Sequence, residues 1–108
     1  MNLKFDLYKF TRIEASGIPV LFKKIPWASG YAYIHVIVGT GARSDPAGKE
    51  GIAHFFEHLP FNGCEGYSTS EATEEVDRRL FGGTLNAHTG MEYTIFHGKV
   101  AVERISEA

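Results

Sequence analysis

Hydrophobic and polar residues separate most clearly over residues 51–59, Gly51-Ile-Ala-His-Phe-Phe-Glu-His-Leu. At about 100° per residue, a helix over this segment would place His54, Glu57 and His58 on one side, within about 60° of His54 on the helical wheel. The opposite arc would hold four apolar residues, Ile52, Phe55, Phe56 and Leu59. The pattern therefore predicts a helix that packs its apolar arc into a core and presents the polar triplet on its other side.

Alternating residues predict strands on both sides of this helix. Residues 31–38 are the clearest strand, and the face expected to meet the helix carries Ala32, Ile34, Val36 and Val38. His35, on the other face, is expected to be an ordinary strand residue and not a ligand. Further strands are predicted at 10–15, 19–23, 84–89 and 93–100, the first two joined by a Ser16-Gly17 turn and the last two at Gly90-Met91.

A second helix is predicted after the capping-box spacing of Ser68 and Glu71, and it should end at Gly82-Gly83. Its charged residues between 71 and 79 are expected to form a solvated face. Pro60 predicts that the first helix kinks or stops there, and residues 102–108 predict the start of a third helix. These elements predict an α+β fold, a mixed, largely antiparallel sheet with helices packed on one face.

Composition narrows the class of protein. With 108 residues, 44% of them hydrophobic, the chain is expected to be a single small domain over residues 1–108. The net charge of −2 gives no indication of nucleic-acid or anionic membrane binding. The lone Cys64 cannot form an internal disulfide, and no segment has the pattern of a signal peptide or a membrane span. A cytoplasmic protein is therefore expected.

His54 and His58 are the candidate metal ligands. Residues at i and i+4 are about 6 Å apart along a helix axis, so their imidazoles can converge on one Zn²⁺ at Zn–N distances of about 2 Å. Glu57 beside them would be placed to take a proton from water. A His-x-x-x-His pair is more often ordinary surface or core histidine, but the separation of the polar triplet from the apolar arc favours a site. The Gly-rich residues 39–48 match neither a P-loop nor a Rossmann fingerprint.

Several further motifs occur in order along the chain. They are Val38-Gly-Thr-Gly-Ala-Arg, Gly51-Ile-Ala-His-Phe-Phe-Glu-His, Phe61-Asn-Gly, Tyr67-Ser, Gly82-Gly-Thr-Leu-Asn-Ala-His-Thr and Glu92-Tyr-Thr. With them, residues 10–100 resemble the first half of the N-terminal domain of the pitrilysin, insulysin and mitochondrial processing peptidase family of zinc metallopeptidases, and His-x-x-Glu-His is the inverzincin signature. The resemblance implies zinc as the cofactor and hydrolysis of peptides by a metal-activated water.

The resemblance also implies a role for individual residues. His54 and His58 match the two zinc histidines of the family, and Glu57 matches its general base. Asn86 and Ala87 match the strand that pairs with an extended peptide substrate. The third zinc ligand of the family is a glutamate on a later helix, several dozen residues past the second histidine, and it has no counterpart up to Ala108.

We therefore expect an incomplete domain with little or no hydrolysis by itself, completed by a missing C-terminal portion or a partner subunit. A less favoured interpretation has His88 or an acidic residue of 71–75 as the third ligand. The alternative function is a non-catalytic peptide-binding or scaffold subunit of a processing-peptidase-like assembly. Strands without the rest of their sheet also predict self-association.

Overall fold

A computed structural model describes residues 9–27 and 30–108. Its strands are β1 (Thr11–Ala15), β2 (Ile18–Phe22), β3 (Tyr31–Val38), β4 (Asn86–Thr89) and β5 (Thr94–Ala101). Its helices are α1 (Ile52–Asn62) and α2 (Ser70–Val76), and α2 continues into a π-helical turn over Asp77–Phe81. Single 3₁₀ turns cover Ala42–Ser44 and Val102–Arg104. The segment before residue 9 and part of the predicted loop at 26–30 lie outside the described residues.

The strands form two antiparallel sheets. β1 and β2 pair as a two-stranded hairpin, and both residues of its turn have positive φ, 51° at Ser16 and 79° at Gly17. This combination is typical of the type I′ turn, whose twist matches that of the flanking strands. The other sheet has the order β3-β5-β4, so the last strand of the chain lies in the middle. The predicted hairpin, the predicted strand over 31–38 and the α+β fold class are confirmed.

The core lies between the three-stranded sheet and the π-helical turn. Leu80, Phe81 and Val100 are buried, and Ala32, Ile34, Val76 and Leu85 pack against them. Gly98 makes this packing possible, because a Cβ on Gly98 would lie 2.6 Å from Cδ1 of Phe81. The aromatic ring therefore rests directly on the backbone of β5.

The first helix is longer than predicted. Pro60 lies inside α1, and the helix runs on to Asn62 before Gly63, with φ of 137°, ends it. Of the two predicted outcomes at Pro60, a kink or a stop, the stop is wrong: proline removes one intrahelical hydrogen bond, and the helix continues for two further residues.

The second helix begins one residue later than the capping-box spacing indicated. Thr69, not Ser68, is the N-cap, and its hydroxyl accepts a hydrogen bond from the backbone N–H of Ala72 at 3.2 Å. The pKa of the Glu71 carboxyl is lowered, first by a hydrogen bond from its own backbone N–H and second by one from the Thr69 side chain. At the other end, Gly82 takes the left-handed conformation and closes the segment as predicted.

The prediction that a third helix begins over residues 102–108 is wrong in its extent. Only Val102–Arg104 forms a 3₁₀ turn, and turns follow it. The side chain of Arg79 binds Glu107 at 2.9 Å, and Arg104 donates to the backbone carbonyl of Arg79 at 3.0 Å. The C-terminal segment is thus held against the π-helical turn by polar contacts.

Candidate metal centre

The candidate site lies on α1, whose first turn is fixed by a residue outside the helix. Asp45 accepts hydrogen bonds from the backbone N–H of Gly51 at 2.6 Å and of Ala53 at 3.0 Å. A carboxylate at this position satisfies donors that have no intrahelical partner and interacts favourably with the helix dipole. Asp45 therefore anchors the turn that precedes His54.

The two candidate ligands lie side by side one turn apart. Nε2 of His54 and Nε2 of His58 are 2.9 Å apart, and the rings stack with centroids 4.8 Å apart and an interplanar angle of 17°. Both side chains are exposed. The predicted convergence of the two imidazoles is therefore present in the structure.

Glu57 is the third member of the group, but it does not share the exposure of the histidines. It is the only buried residue of α1, with 8% of its surface exposed. The hydroxyl of Thr89 on β4 donates to its Oε2. Glu57 therefore points toward the sheet while its neighbours His54 and His58 face solvent.

The predicted division of α1 into an apolar buried arc and a polar exposed side is therefore wrong. Phe55 is 61% exposed, Phe56 57% and Leu59 38%. The line of residues that meets the sheet is Ala53, Glu57 and Phe61, whose ring stacks on Phe96 of β5 at 6.3 Å between centroids. In the described residues the sheet that faces α1 has three strands, and more than half of the surface of Phe55 and of Phe56 stays exposed.

A cavity of about 450 Å³ opens between α1 and the sheet. Its walls are mostly apolar, with Val38, Phe56 and Phe96 among the lining residues, and Glu57 and Thr94 supply polar atoms. Glu57 therefore lines this mostly apolar space, and one of its carboxylate oxygens also lies within 4.8 Å of a ring nitrogen of each histidine.

The donor set fits a zinc ion. One ligand atom from each of His54, Glu57 and His58 can be chosen so that all three lie within 4.8 Å of one another. Two nitrogens bound to one tetrahedral zinc at about 2.05 Å are about 3.3 Å apart, close to the separation of the two Nε2 atoms. Neutral imidazoles and a carboxylate are the ligand types that zinc prefers.

The residues considered in the less favoured interpretation as a third zinc ligand do not lie with His54, Glu57 and His58. In the part of the chain that the structure describes, the group contains neither His88 nor Glu71, Glu74 or Glu75. His88 precedes Thr89 on β4, and alternate residues of a strand point to opposite faces, so His88 faces away from α1. His35 is likewise outside the group and stacks on His97 of β5 at 5.7 Å.

Asn86 and Ala87, the predicted substrate-binding residues, lie on an edge strand. β4 pairs with β5 on one side, and no described strand pairs with its other side. The backbone N–H of Ala87 bonds to Oδ1 of Asn86 at 2.8 Å and takes no part in the pairing with β5. Asn86 and Ala87 therefore stand apart from the metal group but share a strand with Thr89.

Two residues of the site were missed by the sequence reasoning. Asp45 lies six residues before Gly51 in the chain, too far from the helix for a capping pattern to indicate it. Thr89 is 32 residues from Glu57, and no local pattern indicates that contact. Only its place at the end of the Gly82-to-Thr89 motif pointed to it.

Comparison with known proteins gives the family. The model of Insulinase (Peptidase family M16) matches residues 28–108. This chain belongs to peptidase family M16. The resemblance stated above is confirmed, and the chain is an M16 zinc peptidase-type domain.

The matched relatives are much longer. An uncharacterized zinc protease from Rickettsia bellii is 36% identical over 93 residues, which are 86% of this chain and 22% of that protein. The mitochondrial-processing peptidase subunit beta of Saccharomyces cerevisiae is 32% identical over 86% of this chain and 20% of that protein. The chain thus spans about a fifth of the length of these relatives.

Solved structures share the fold. The first half of the periplasmic protease PqqL from Escherichia coli superposes with a TM-score of 0.79 at 19% identity, covering 93% of this chain and 22% of that one. Pitrilysin gives a TM-score of 0.77 at 25% identity, covering 97% of this chain and 11% of that one. The fold of this M16 domain therefore matches N-terminal fragments of known members.

No helix in the described residues is long and apolar enough to cross a membrane. The relatives include a periplasmic and a mitochondrial protein by name. The cytoplasmic location expected from the sequence therefore stays a prediction.

Proposed function

We propose that this M16 domain is part of a zinc-dependent metalloendopeptidase that hydrolyses peptides or unfolded polypeptide. The observation that carries the proposal is the convergence of His54 and His58, 2.9 Å apart at Nε2, beside the buried carboxylate of Glu57. His54 and His58 would hold the zinc ion. Bound zinc supplies Lewis-acid chemistry, which polarises a carbonyl and makes water a nucleophile near neutral pH.

Glu57 is proposed as the general base. Its carboxylate accepts a proton from water as the water oxygen attacks the peptide carbonyl carbon, and returns that proton to the nitrogen as the C–N bond breaks. A side chain that is 8% exposed is held away from bulk water. A restricted position of this kind favours proton transfer, because a base acts only within hydrogen-bond reach of its substrate.

The free edge of β4 is proposed as the peptide-binding element, through Asn86 and Ala87. An extended peptide can add to a sheet edge by main-chain hydrogen bonds, which makes binding tolerant of sequence. The Ala87 N–H now bonds to the side chain of Asn86, and an incoming peptide carbonyl would replace that acceptor. In the described residues, β3 and β4 are both edge strands of the three-stranded sheet, which also supports self-association of this chain.

The remaining ligand and catalytic groups are proposed to come from outside these residues. Catalytic zinc sites usually have three protein ligands, and in the described residues Glu57 is the only acidic group near the histidines. This chain spans 22% of the length of the Rickettsia bellii relative. That share supports a single, incomplete N-terminal metallopeptidase domain over residues 1–108. A C-terminal portion or a partner subunit would complete it, so the chain alone should hydrolyse little or nothing.

Metal content and peptide cleavage test the proposal together. We expect one zinc per chain that is lost to a chelator, lost in the His54→Gln/His58→Gln double variant and retained in Glu57→Gln. Because the chain alone should hydrolyse little or nothing, cleavage of an unstructured peptide is measured with the C-terminal portion or partner subunit added, and it should disappear in Glu57→Gln. The alternative, a non-catalytic peptide-binding or scaffold subunit, predicts peptide binding without hydrolysis even in that complex and at any metal content. Zinc binding that survives loss of both histidines would contradict the proposed site.

A further inference from the structure

The bond between Thr89 and Glu57 is the only hydrogen bond that the described residues make to the Glu57 carboxylate. The hydroxyl of Thr89 donates to Oε2, and Oε1 has no such partner. Burying a carboxylate that accepts no hydrogen bond is energetically unfavourable. The hydrogen bond from Thr89 therefore fixes the position of the Glu57 carboxylate. It also leaves one oxygen available for proton transfer.

Thr89 is itself held firmly on the sheet side. It pairs in register with Thr94 of β5, which is 6% exposed and donates its hydroxyl to the carbonyl of Thr40 at 2.9 Å. Beyond Thr89, the N–H of Gly90 bonds to the carbonyl of Tyr93 at 2.8 Å. The hydroxyl of Thr89 is therefore carried by backbone that is fixed before and after it.

The same backbone is tied to the segment that leads into α1. The N–H of Ala42 donates to the carbonyl of Gly90 at 2.9 Å, and the N–H of Arg43 donates to the carbonyl of Met91 at 2.8 Å. Two residues after Arg43, Asp45 accepts the hydrogen bonds from the Gly51 and Ala53 amides at the start of α1. Thr89, which donates the hydrogen bond, and α1, which carries its acceptor Glu57, are therefore connected through these backbone hydrogen bonds.

We propose that Thr89 is a positioning residue, which holds Glu57 by Oε2 and thereby sets Oε1 for proton transfer next to His54 and His58. The catalytic role of Thr89 rests on the proposed function of Glu57. The hydrogen bond between Thr89 and Glu57 is a feature of the structure and does not depend on that proposal. Thr89 also lies on β4, the strand whose free edge is proposed to pair with peptide. One strand would therefore fix both the substrate and the base, which is how a supporting residue preorganises a site.

The test uses the full 108-residue chain, free of metal, and reads Glu57 directly by NMR. In the wild type we expect a Thr89 hydroxyl proton that exchanges slowly enough to be observed, with contacts to the Glu57 side chain, and a single Glu57 rotamer. Thr89→Val, which keeps the shape but removes the hydroxyl, should shift the Glu57 carboxyl resonance and average its rotamers. Thr89→Ser should restore the wild-type signals.

Thr84→Val is the matched control, because it removes another hydrogen-bonded, partly buried hydroxyl, which donates to the carbonyl of Phe81 at 2.6 Å and lies outside the cavity that Glu57 lines. It should leave the Glu57 resonance unchanged. Glu57 signals that do not change in Thr89→Val, or that change equally in Thr84→Val, would overturn the proposal. If Thr89→Val does not fold, the wild-type hydroxyl proton and Thr89→Ser decide the question. Failure of the proposed function would appear separately, as zinc binding that is independent of the two histidines.

Discussion

Gly41 and Gly90 lie in direct backbone contact. A Cβ built on Gly41 would be 2.4 Å from the carbonyl oxygen of Gly90 and 2.7 Å from the backbone nitrogen of Tyr93. No flexible side chain can move aside at this point, since every close atom belongs to the backbone. This close contact between Gly41 and Gly90 links the segment that precedes α1 to the turn between β4 and β5.

Gly41→Ala should therefore destabilise the fold, by about 1–3 kcal/mol as for other overpacked positions. Urea unfolding followed by circular dichroism measures the change. Gly39→Ala is the control, because nothing lies within 4 Å of its Cβ and the substitution there should be neutral or slightly stabilising. Equal effects of the two substitutions would mean that the close approach does not constrain the fold.

The hydrogen bonds from the first turn of α1 to Asp45 give a second prediction. Asp45→Ala removes the acceptor of the Gly51 and Ala53 amides, so the free energy of unfolding should fall by about 1 kcal/mol. Asp45→Asn keeps an acceptor oxygen and should cost less. Chemical denaturation of the three proteins gives the order, and an alanine variant as stable as the wild type would show that the cap contributes nothing.

Zinc affinity should depend on each histidine of the pair. His54→Gln leaves a single imidazole, so affinity should fall by more than the roughly 10–100-fold that loss of an outer-shell partner costs. Competition against a chromophoric chelator measures this. His88→Gln removes an exposed histidine that is not in the group, and its affinity should equal that of the wild type. A similar loss in both variants would point to scattered surface binding.

Peptide binding should depend on the main chain of β4. Ala87→Pro removes an N–H that takes no part in the pairing with β5, and proline is tolerated in edge strands when its missing donor faces outward. Binding of a labelled, unstructured peptide, followed by fluorescence anisotropy, should be lost. Ala87→Val keeps the N–H and should bind normally. Unchanged binding by the proline variant would argue against edge pairing at this position.

The parts of the site set by local spacing were predictable. His54 and His58 converge because they are four residues apart on one helix, and no knowledge of the remaining fold is needed. The strand over 31–38 and the Ser16-Gly17 turn follow equally from short-range patterns.

The parts set by packing were not predictable. Glu57 is buried because the sheet offers Thr89 and an apolar cavity on that side of α1, and a helical wheel cannot tell which boundary residue will turn inward. Phe55 and Phe56 looked like core residues, yet they are 61% and 57% exposed in the structure. Contacts between distant segments decide both outcomes.

The histidine pair owes its geometry to the pitch of a single helix, whereas Glu57 depends on a strand that lies far away in the chain. Loss or rearrangement of the sheet during evolution could therefore silence the base and spare the imidazoles. A protein changed in this way would retain two histidines able to bind a metal ion and lose the proposed base, so zinc binding alone would not show that such a protein hydrolyses peptides.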